Sequence, residues 1–352
     1  MPVDTMTPRE RWLAVLRRET PDRVPTDYWA TPEASARLVE HMGCGTIQEA
    51  LARLHVDAVA NVGPAYAGPP IAERHDAFGI RYRSIDYGTG AYSEAETHPL
   101  AAFESVEAIE AAYTWPRADW YDYSVIPAQV AAAGEAPVRG GGSEPFLTYC
   151  LLRGMEQAMM DILEHPDIVD YCLGKLFDLA YETTLRTYEQ ASGRIMITYV
   201  AEDMGSQDRM MFSPAQVRRF LLPGMKRMID LAHQAGAYVF HHNDGAVRPI
   251  LPTMIEAGID VLNPIQWRCP GMEREGLKRD FGDRIIFHGG VDNQYTLPMG
   301  TVAEVRREVA DNLAILGAGG GYILAPCHNI QAVSPPENIV AMYETCYELG
   351  WS

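Results

Sequence analysis

The stretch from 214 to 264 decides the fold class, and it reads PAQVRRFLLPGMKRMIDLAHQAGAYVFHHNDGAVRPILPTMIEAGIDVLNP. Apolar residues recur at helical spacing over 214–234, and a short β-rich run follows at 237–241. A second helical pattern at 247–257 then precedes another short run at 260–264. A short strand alternating with a longer helix is typical of a parallel sheet with helical crossovers. The stretch therefore predicts consecutive β–α units.

The same alternation runs through most of the 352-residue chain and gives eight strand-like segments. Eight such units fit a closed (β/α)8 TIM barrel better than an open sheet. We therefore expect an α/β protein built as one barrel domain over residues 1–352. The predicted strands are 24–29, 56–62, 138–142, 195–201, 237–241, 260–264, 285–289 and 322–326.

One region breaks the alternation. Residues 79–97 carry several tyrosines and, at 88 and 90, two glycines, which predict an inserted β-hairpin with its turn at 86–90. The acidic and aromatic residues of 104–123 predict a lid or extra helices. The expected insertion thus covers 79–123, and its hairpin serves either as a lid or as a dimer arm.

The N-terminal region predicts extra helical structure ahead of the first strand. Thr7 can cap a helix, Pro8 suits its first position, and Glu10 completes a capping box. This region is polar and lacks the apolar core of a signal peptide. The six cysteines are scattered without a CxxC pair, which is typical of reduced thiols. We therefore expect a cytoplasmic protein.

The charge balance narrows the classes of partner. The chain has 29 basic and 47 acidic residues, which give a formal net charge of −18. Nucleic-acid binding and polybasic membrane anchoring both require the opposite sign. No apolar run reaches 18 residues, so the sequence predicts no transmembrane helix. A small-molecule substrate is the expected partner, with a homodimer as the favoured assembly.

Polar residues gather where the predicted strands end, and four of the ten histidines are among them. In a parallel barrel the carboxyl ends of the strands form the mouth where catalytic groups lie. Polar residues also begin wherever a strand ends, yet ordinary loops are not rich in histidine. We therefore expect an active site there, with Glu202, Asp203 and His288 as catalytic candidates. The candidate substrate-binding residues are Tyr28, Arg139, Asn263, Gln266 and Asp292.

The pattern His242-x-Asp244, together with His328, predicts a metal site. Imidazole and carboxylate groups bind Zn²⁺ and similar ions, and Gly245 permits the turn that would direct the first pair inward. Alternatively, either histidine simply bonds a loop carbonyl. Cys327 reads as a nucleophile, a soft metal ligand or a small buried residue.

The pair Glu202-Asp203 is open to several interpretations. It suits a general acid or base, a fourth metal ligand, or a cap for the helix that follows. Arg139, which three glycines follow, either reaches the mouth or lies at a solvated strand end.

Short motifs resemble a known family nearly from end to end of the chain, and they are specific in combination. They are 7–11 (TPRER), 21–25 (PDRVP), 144–146 (EPF), 154–156 (GME), 202–204 (EDM), 242–245 (HNDG), 258–264 (GIDVLNP), 289–292 (GGVD) and 324–326 (LAP). Together they resemble the uroporphyrinogen decarboxylase-like superfamily, specifically the branch of methylcobalamin:coenzyme M methyltransferases and corrinoid-linked demethylases. The resemblance implies a (β/α)8 barrel, in agreement with the strand count.

The resemblance also implies a zinc site with a His-x-Cys pair after the fifth strand and a cysteine after the eighth. Here His242 and Asp244 occupy the pair, and His328 stands where the family has the last cysteine. Both thiolates are thus replaced by harder ligands. Such a set suits Zn²⁺ or another divalent ion such as Fe²⁺ or Mn²⁺, and it suits substrates that coordinate through oxygen.

A second departure concerns the decarboxylases themselves. They carry an arginine-rich segment after the first strand that holds the substrate carboxylates. Residues 25–32 (PTDYWATP) contain no arginine here. An acidic chain is also a poor match for a porphyrinogen with eight carboxylates, so uroporphyrinogen is not the expected substrate.

Three hypotheses follow. The first is a zinc-dependent methyltransferase or demethylase for a small oxygenated molecule, with the methylcorrinoid supplied by a separate protein because the chain has no Asp-x-His-x-x-Gly motif. The second is a decarboxylase or lyase of a small carboxylic acid that uses the same mouth. The third is a barrel without catalytic activity that serves as a binding subunit.

Overall fold

Seven strands of the chain form a parallel sheet, which a computed structural model describes over residues 3–352. Four short strands lie outside this sheet and form two antiparallel pairs. The strands are β1 Ala60–Val62, β2 Ala65–Tyr66, β3 Tyr82–Asp86, β4 Ala91–Ala95, β5 Tyr121–Asp122, β6 Val138–Ser143, β7 Ile197–Val200, β8 Tyr238–His242, β9 Val261–Asn263, β10 Ile286–Val291 and β11 Tyr322–Pro326.

The parallel sheet has the order β1-β6-β7-β8-β9-β10-β11, so each strand lies beside the next one of the alternation. Repeated β–α crossovers, each adding a strand beside the previous one, produce this order. Seven of the eight predicted strands overlap a strand of this sheet. The α/β architecture is therefore confirmed, with a curled parallel sheet.

The remaining predicted strand, at 24–29, is wrong as a regular strand. The segment makes only isolated bridges, such as Thr26 with Leu324, so the sheet itself is not closed. Pro25 lacks an amide hydrogen and cannot donate to a ladder. The segment nevertheless lies between the two edges of the sheet. Leu324 N–H donates to Pro25 O at 2.9 Å, and Asp57 N–H donates to Thr26 O at 3.1 Å.

Helices connect the strands and cover the outer face of the sheet. A π-helical turn at Val217–Leu221 joins the short helix Pro214–Gln216 to the helix Leu222–Gln234. The helices are α1 Pro8–Leu16, α2 Pro32–His41, α3 Ile47–Arg53, α4 Val106–Ala112, α5 Ile126–Ala132, α6 Pro145–Arg153, α7 Met155–Glu164, α8 Pro166–Ala191, α9 Pro214–Gln216, α10 Leu222–Gln234, α11 Leu251–Ala257, α12 Arg274–Phe281, α13 Thr296–Met299, α14 Val302–Ile315 and α15 Pro336–Leu349.

Helix α1 closes the amino-terminal end of the sheet. It begins with the expected capping box, in which Thr7 Oγ1 accepts from the amide of Glu10 and the Glu10 carboxylate accepts from that of Thr7. Trp12 is fully buried and packs with Ile197 and Ile286 from the first halves of two strands. Burying an indole is worth a few kcal/mol. The other end of the sheet, where the strands finish, therefore carries the only mouth that the curled sheet presents in residues 3–352.

The region inserted after β2 contains the antiparallel pair β3–β4, with Tyr82 opposite Ala95 and Asp86 opposite Ala91. Its loop reaches the segment that follows β11, where the Tyr87 hydroxyl lies 3.3 Å from Gln331 Oε1. Over residues 3–352, no helix is long and apolar enough to cross a membrane.

Candidate functional site

Three residues from the ends of β8 and β11 come together at the carboxyl end of the sheet. His242 is the last residue of β8, Asp244 comes two residues later, and His328 comes two residues after β11. One ligand atom from each side chain lies within 4.8 Å of the other two. Two imidazoles and a carboxylate at this spacing form a group that can hold a divalent metal ion.

The chain geometry around His242 presents one ring nitrogen to this group. Its Nδ1 lies 2.6 Å from Asn263 Oδ1, an acceptor, so Nδ1 carries the hydrogen and Nε2 keeps its lone pair. Nε2 lies 3.7 Å from Asp203 Oδ1 and 3.8 Å from Asp244 Oδ1. The free lone pair and both carboxylates thus face one point.

A glycine makes the sharp turn after β8 possible. Gly245 has φ of 86°, and a Cβ on it would lie 2.4 Å from Ser206 O. Only glycine fits such a position. His242 and Asp244 are two positions apart and so point to the same face, and the tight turn at Gly245 then redirects the chain directly after Asp244.

Asp244 carries an uncompensated polar atom. Its Oδ1 is buried and has no hydrogen-bond partner among the residues that the structure describes. Burial raises the pKa of its carboxyl, the charge of Asp203 raises it further, and His242 opposes the shift. A buried carboxylate oxygen without a partner costs free energy unless a cation or proton satisfies it. The residues present therefore fit a metal ion.

Glu144 directly follows β6 and faces the same group, although it was not among the site residues predicted from the sequence. Burial raises the pKa of Glu144 to about 7, and Asp203 and Asp244 add to the shift while His242 opposes it. A carboxyl with this pKa exchanges protons near neutrality. Its position directly after a glycine-rich strand was the signal that could have identified it.

Glu202, predicted as a catalytic group, lies behind the site. It is fully buried, and its Oε1 accepts from the amide of Phe146 at 2.7 Å, at the start of α6. Burial raises the pKa of Glu202 well above its ordinary value. Its neighbour Asp203 is 42% exposed and holds the amide of Asp244 at 2.9 Å. Of this pair, Asp203 is the one at the mouth.

A buried hydrogen-bond chain runs from His242 away from the mouth. Asn263 accepts from His242, and its Nδ2 donates to His288 Nδ1 at 2.8 Å. His288 Nε2 then donates to Asp27 Oδ2 at 3.2 Å, and Trp29 Nε1 donates to the same oxygen at 2.8 Å. His288 is fully buried, so its position suits orienting Asn263 better than touching a substrate.

A cavity of about 540 Å³ adjoins the three-residue group. Trp29 and Tyr199 line it, and their rings stack on His242 with centroid distances of 5.9 and 5.8 Å. Tyr28 and Arg139, both predicted to bind substrate, line it as well. The volume is in the range of small-molecule pockets.

The other three predicted substrate residues lie outside this cavity, Asn263 being part of the buried chain described above. Gln266 accepts from the amide of Gly245 at 2.6 Å and so supports the turn after β8. Asp292 pairs with Arg268 at 2.6 Å and accepts amide hydrogens at the start of the next loop. Cys327 is buried, its Sγ donates to Ile265 O at 3.2 Å, and burial raises the pKa of its thiol well above the ordinary value. These contacts suit structural roles.

Comparisons with known proteins agree with this architecture. The family model described as uroporphyrinogen decarboxylase (URO-D) matches residues 7–349. The chain is 24% identical over 226 residues to a uroporphyrinogen decarboxylase of Legionella pneumophila, covering 61% of this chain and 60% of that protein. It is 27% identical over 210 residues to that of Cupriavidus necator, covering 59% and 53%. The match thus spans three fifths or less of these relatives' length.

Among solved structures, a methyltransferase from Methanosarcina mazei is similar over 98% of this chain and 99% of its own. The TM-score is 0.70 and the sequence identity 21%. A likeness at this identity shows a shared fold, and it leaves the reaction to be argued from the site.

Proposed function

This chain belongs to the uroporphyrinogen decarboxylase family, as its motifs predicted, and from that premise we propose that it is a metal-dependent methyltransferase or demethylase. Its substrate is a small oxygenated molecule, and a separate corrinoid protein carries the methyl group. The metal is Zn²⁺ or another divalent ion held by His242, Asp244 and His328.

The observation that carries the proposal is the group itself. Three ligand atoms lie within 4.8 Å of one another, and one of the carboxylate oxygens is buried without a partner. Nitrogen and oxygen ligands favour intermediate and hard divalent ions over the soft ions that thiolates select. The metal would act as a Lewis acid that polarises a substrate oxygen.

The residues around this group divide the remaining tasks. Asn263 holds His242 in the tautomer whose Nε2 is free, and Asp203 fixes the amide of Asp244. Glu144 holds or releases a proton at its carboxyl near neutral pH, so it suits proton transfer to a substrate oxygen that loses its methyl group. Trp29 and Tyr199 flank His242 and limit access of water.

The first test is elemental analysis of the purified protein after dialysis against zinc. We expect about one equivalent per chain in the wild type and a loss in the His242→Ala, His328→Ala double variant. The matched control replaces His41 and His233, two exposed histidines away from the mouth, and should keep its metal. No metal in the wild type with saturating zinc would refute the proposed site.

The second test addresses the reaction. Methoxy compounds are incubated with the zinc-loaded protein and a corrinoid acceptor protein in its reduced state, and formation of methylcorrinoid is followed by absorbance. We expect methylation with the wild type and none with the double variant. A bound metal without any methyl transfer across the panel would reject the methyltransferase proposal.

A decarboxylase of a small carboxylic acid is the second candidate, and two observations favour it. The curated relatives are named uroporphyrinogen decarboxylases, and an arginine that can hold a carboxylate lines the cavity. Uroporphyrinogen itself is a poor match, because Arg139 is the only arginine on the lining among the described residues. Release of CO₂ from a carboxylic acid without methyl transfer would support this candidate.

A further inference from the structure

We propose that the substrate carries a carboxylate and that Arg139 selects for it. The reaction that this substrate undergoes rests on the proposed function, whereas its binding by Arg139 does not. Arg139 lies on β6 and is only partly exposed. Its guanidinium carbon lies 5.5 Å from the ring centroids of both Trp29 and Tyr199. Two aromatic rings on either side of a guanidinium attract its charge and also hold it in one orientation.

The guanidinium has unused donors. Its Nε donates to Asn61 Oδ1 at 2.6 Å, whereas Nη1 and Nη2 have no hydrogen-bond partner within residues 3–352. A guanidinium with its terminal nitrogens free matches the two oxygens of a carboxylate. Neutral ligands cannot make the same charge-assisted pair.

The other charged group on the cavity lining, Asp27, interacts with Arg139 through its charge but makes no hydrogen bond with it in the described chain. Asp27 is fully buried and already accepts from Trp29 Nε1, His288 Nε2 and the amide of Tyr28. Within the described chain, the lining holds one cation with free donors and one carboxylate whose oxygens are engaged. The terminal nitrogens of Arg139 therefore remain available to an anionic ligand, although the whole chain has a net charge of −18.

The strand is shaped to present this side chain. Between Arg139 and Gly142 the register of β6 against β7 shifts by one residue, which marks a bulge. Gly141 has φ of 68°, and a Cβ there would meet the side chain of Thr184 at 2.5 Å. A bulge redirects the side chains that flank it, and such bulges are common beside active sites.

The positions of Arg139 and His242 also set the size of the molecule. Both groups lie against the same Trp29 ring, the guanidinium carbon at 5.5 Å and the imidazole at 5.9 Å from its centroid. The guanidinium carbon and the imidazole centroid are therefore at most about 11 Å apart. A carboxylate at Arg139 and an oxygen near His242 can thus belong to one small molecule that is no longer than this separation.

Binding of matched acid and amide pairs to the metal-free protein tests this inference. The probes are 4-methoxybenzoate with 4-methoxybenzamide and methoxyacetate with methoxyacetamide, followed by calorimetry at pH 7.5. In the wild type we expect at least one acid to bind about tenfold or more tightly than its amide. Arg139→Gln should abolish that preference. Arg139→Lys should keep part of it, since lysine retains the positive charge but lacks the two parallel donors of a guanidinium.

The control variant is Arg117→Gln, because Arg117 also lies over an indole, that of Trp120, but is exposed and outside the cavity. It should bind like the wild type. The unfolding midpoints of all variants show whether each one folds. Equal binding of acid and amide in every pair, or an acid preference that survives in Arg139→Gln, would overturn the inference. Acid selectivity in a protein that binds no metal would support the inference while refuting the proposed function.

Discussion

Replacing Asn263 with alanine should weaken metal binding at His242 as well as lower the stability of the fold. The substitution removes the acceptor that His242 Nδ1 meets at 2.6 Å and the donor that His288 Nδ1 meets at 2.8 Å. Without the first contact, the hydrogen on the His242 ring is free to move to Nε2, the nitrogen that faces Asp203 and Asp244. The ligand then has to change tautomer before it can bind.

The size of the effect follows from these two hydrogen bonds. Loss of an outer partner of a metal-bound histidine typically costs 10- to 100-fold in metal affinity, roughly 1.4 to 2.7 kcal/mol. The fold should lose about 2 to 4 kcal/mol, because two buried polar groups are left without partners. Asn263→Asp keeps an acceptor for His242 and should therefore retain most of the affinity.

Zinc affinity is measured by competition with a chromophoric chelator at pH 7.5, and unfolding is measured in urea. Asn338→Ala is the matched control, because this asparagine is equally buried and donates to Leu297 O and Gly300 O, away from the site. It should lower stability and leave zinc affinity unchanged. If Asn263→Ala and Asn338→Ala have the same zinc affinity as the wild type, the reasoning about the tautomer is wrong.

Three other substitutions should give clear results. Although burial opposes it, hydrogen bonds from Arg153 and its neighbours lower the pKa of Asp161, so the stability that its carboxylate contributes is present above about pH 4 and is lost as the pH falls through the folded-state pKa. Asp161→Asn should therefore lower the free energy of unfolding in urea by about 3 kcal/mol at pH 7. A difference from the wild type that does not shrink at pH 3 would contradict this. Gly142→Ala should destabilise the protein by about 2 kcal/mol or more in thermal unfolding, because φ is 136° and the new Cβ would lie 2.2 Å from a backbone oxygen of β7. Gly174→Ala, at an open position in the middle of α8, should instead stabilise it by about 0.5 to 1 kcal/mol. Equal shifts of the two variants would refute the strain argument. Asp244→Asn should abolish zinc binding, yet the metal-free variant should be as stable as the wild type or about 1 kcal/mol more stable. A large loss of stability in chemical unfolding would show that the buried Oδ1 of Asp244 has another partner.

The repeating architecture was predictable from the sequence because strands and helices in β–α units differ in period and length. The segment at 24–29 shows where that reasoning fails. Its apolar residues are compatible with a strand, but Pro25 interrupts the donors and the segment keeps only bridges to its neighbours. Periodicity describes side chains, whereas strand pairing depends on the backbone.

The grouping of His242, Asp244 and His328 was predictable because strand ends converge in a parallel sheet, and metal binding by them stays a prediction. The proximity of Glu144 to this group was harder to see, since it follows a strand whose bulge periodicity does not reveal. The same holds for Tyr199, which reads simply as part of an apolar strand until the register places it against His242.

The packing of Trp12 at the amino-terminal end of the sheet has a consequence for the order in which molecules bind. With that end closed, the substrate and the proposed corrinoid protein would have to use the same opening. Under the proposed function, the substrate would then enter before the corrinoid protein docks, and the product would leave after it dissociates. Steady-state kinetics should in that case follow a compulsory order, and an excess of the corrinoid protein should slow turnover by blocking the opening.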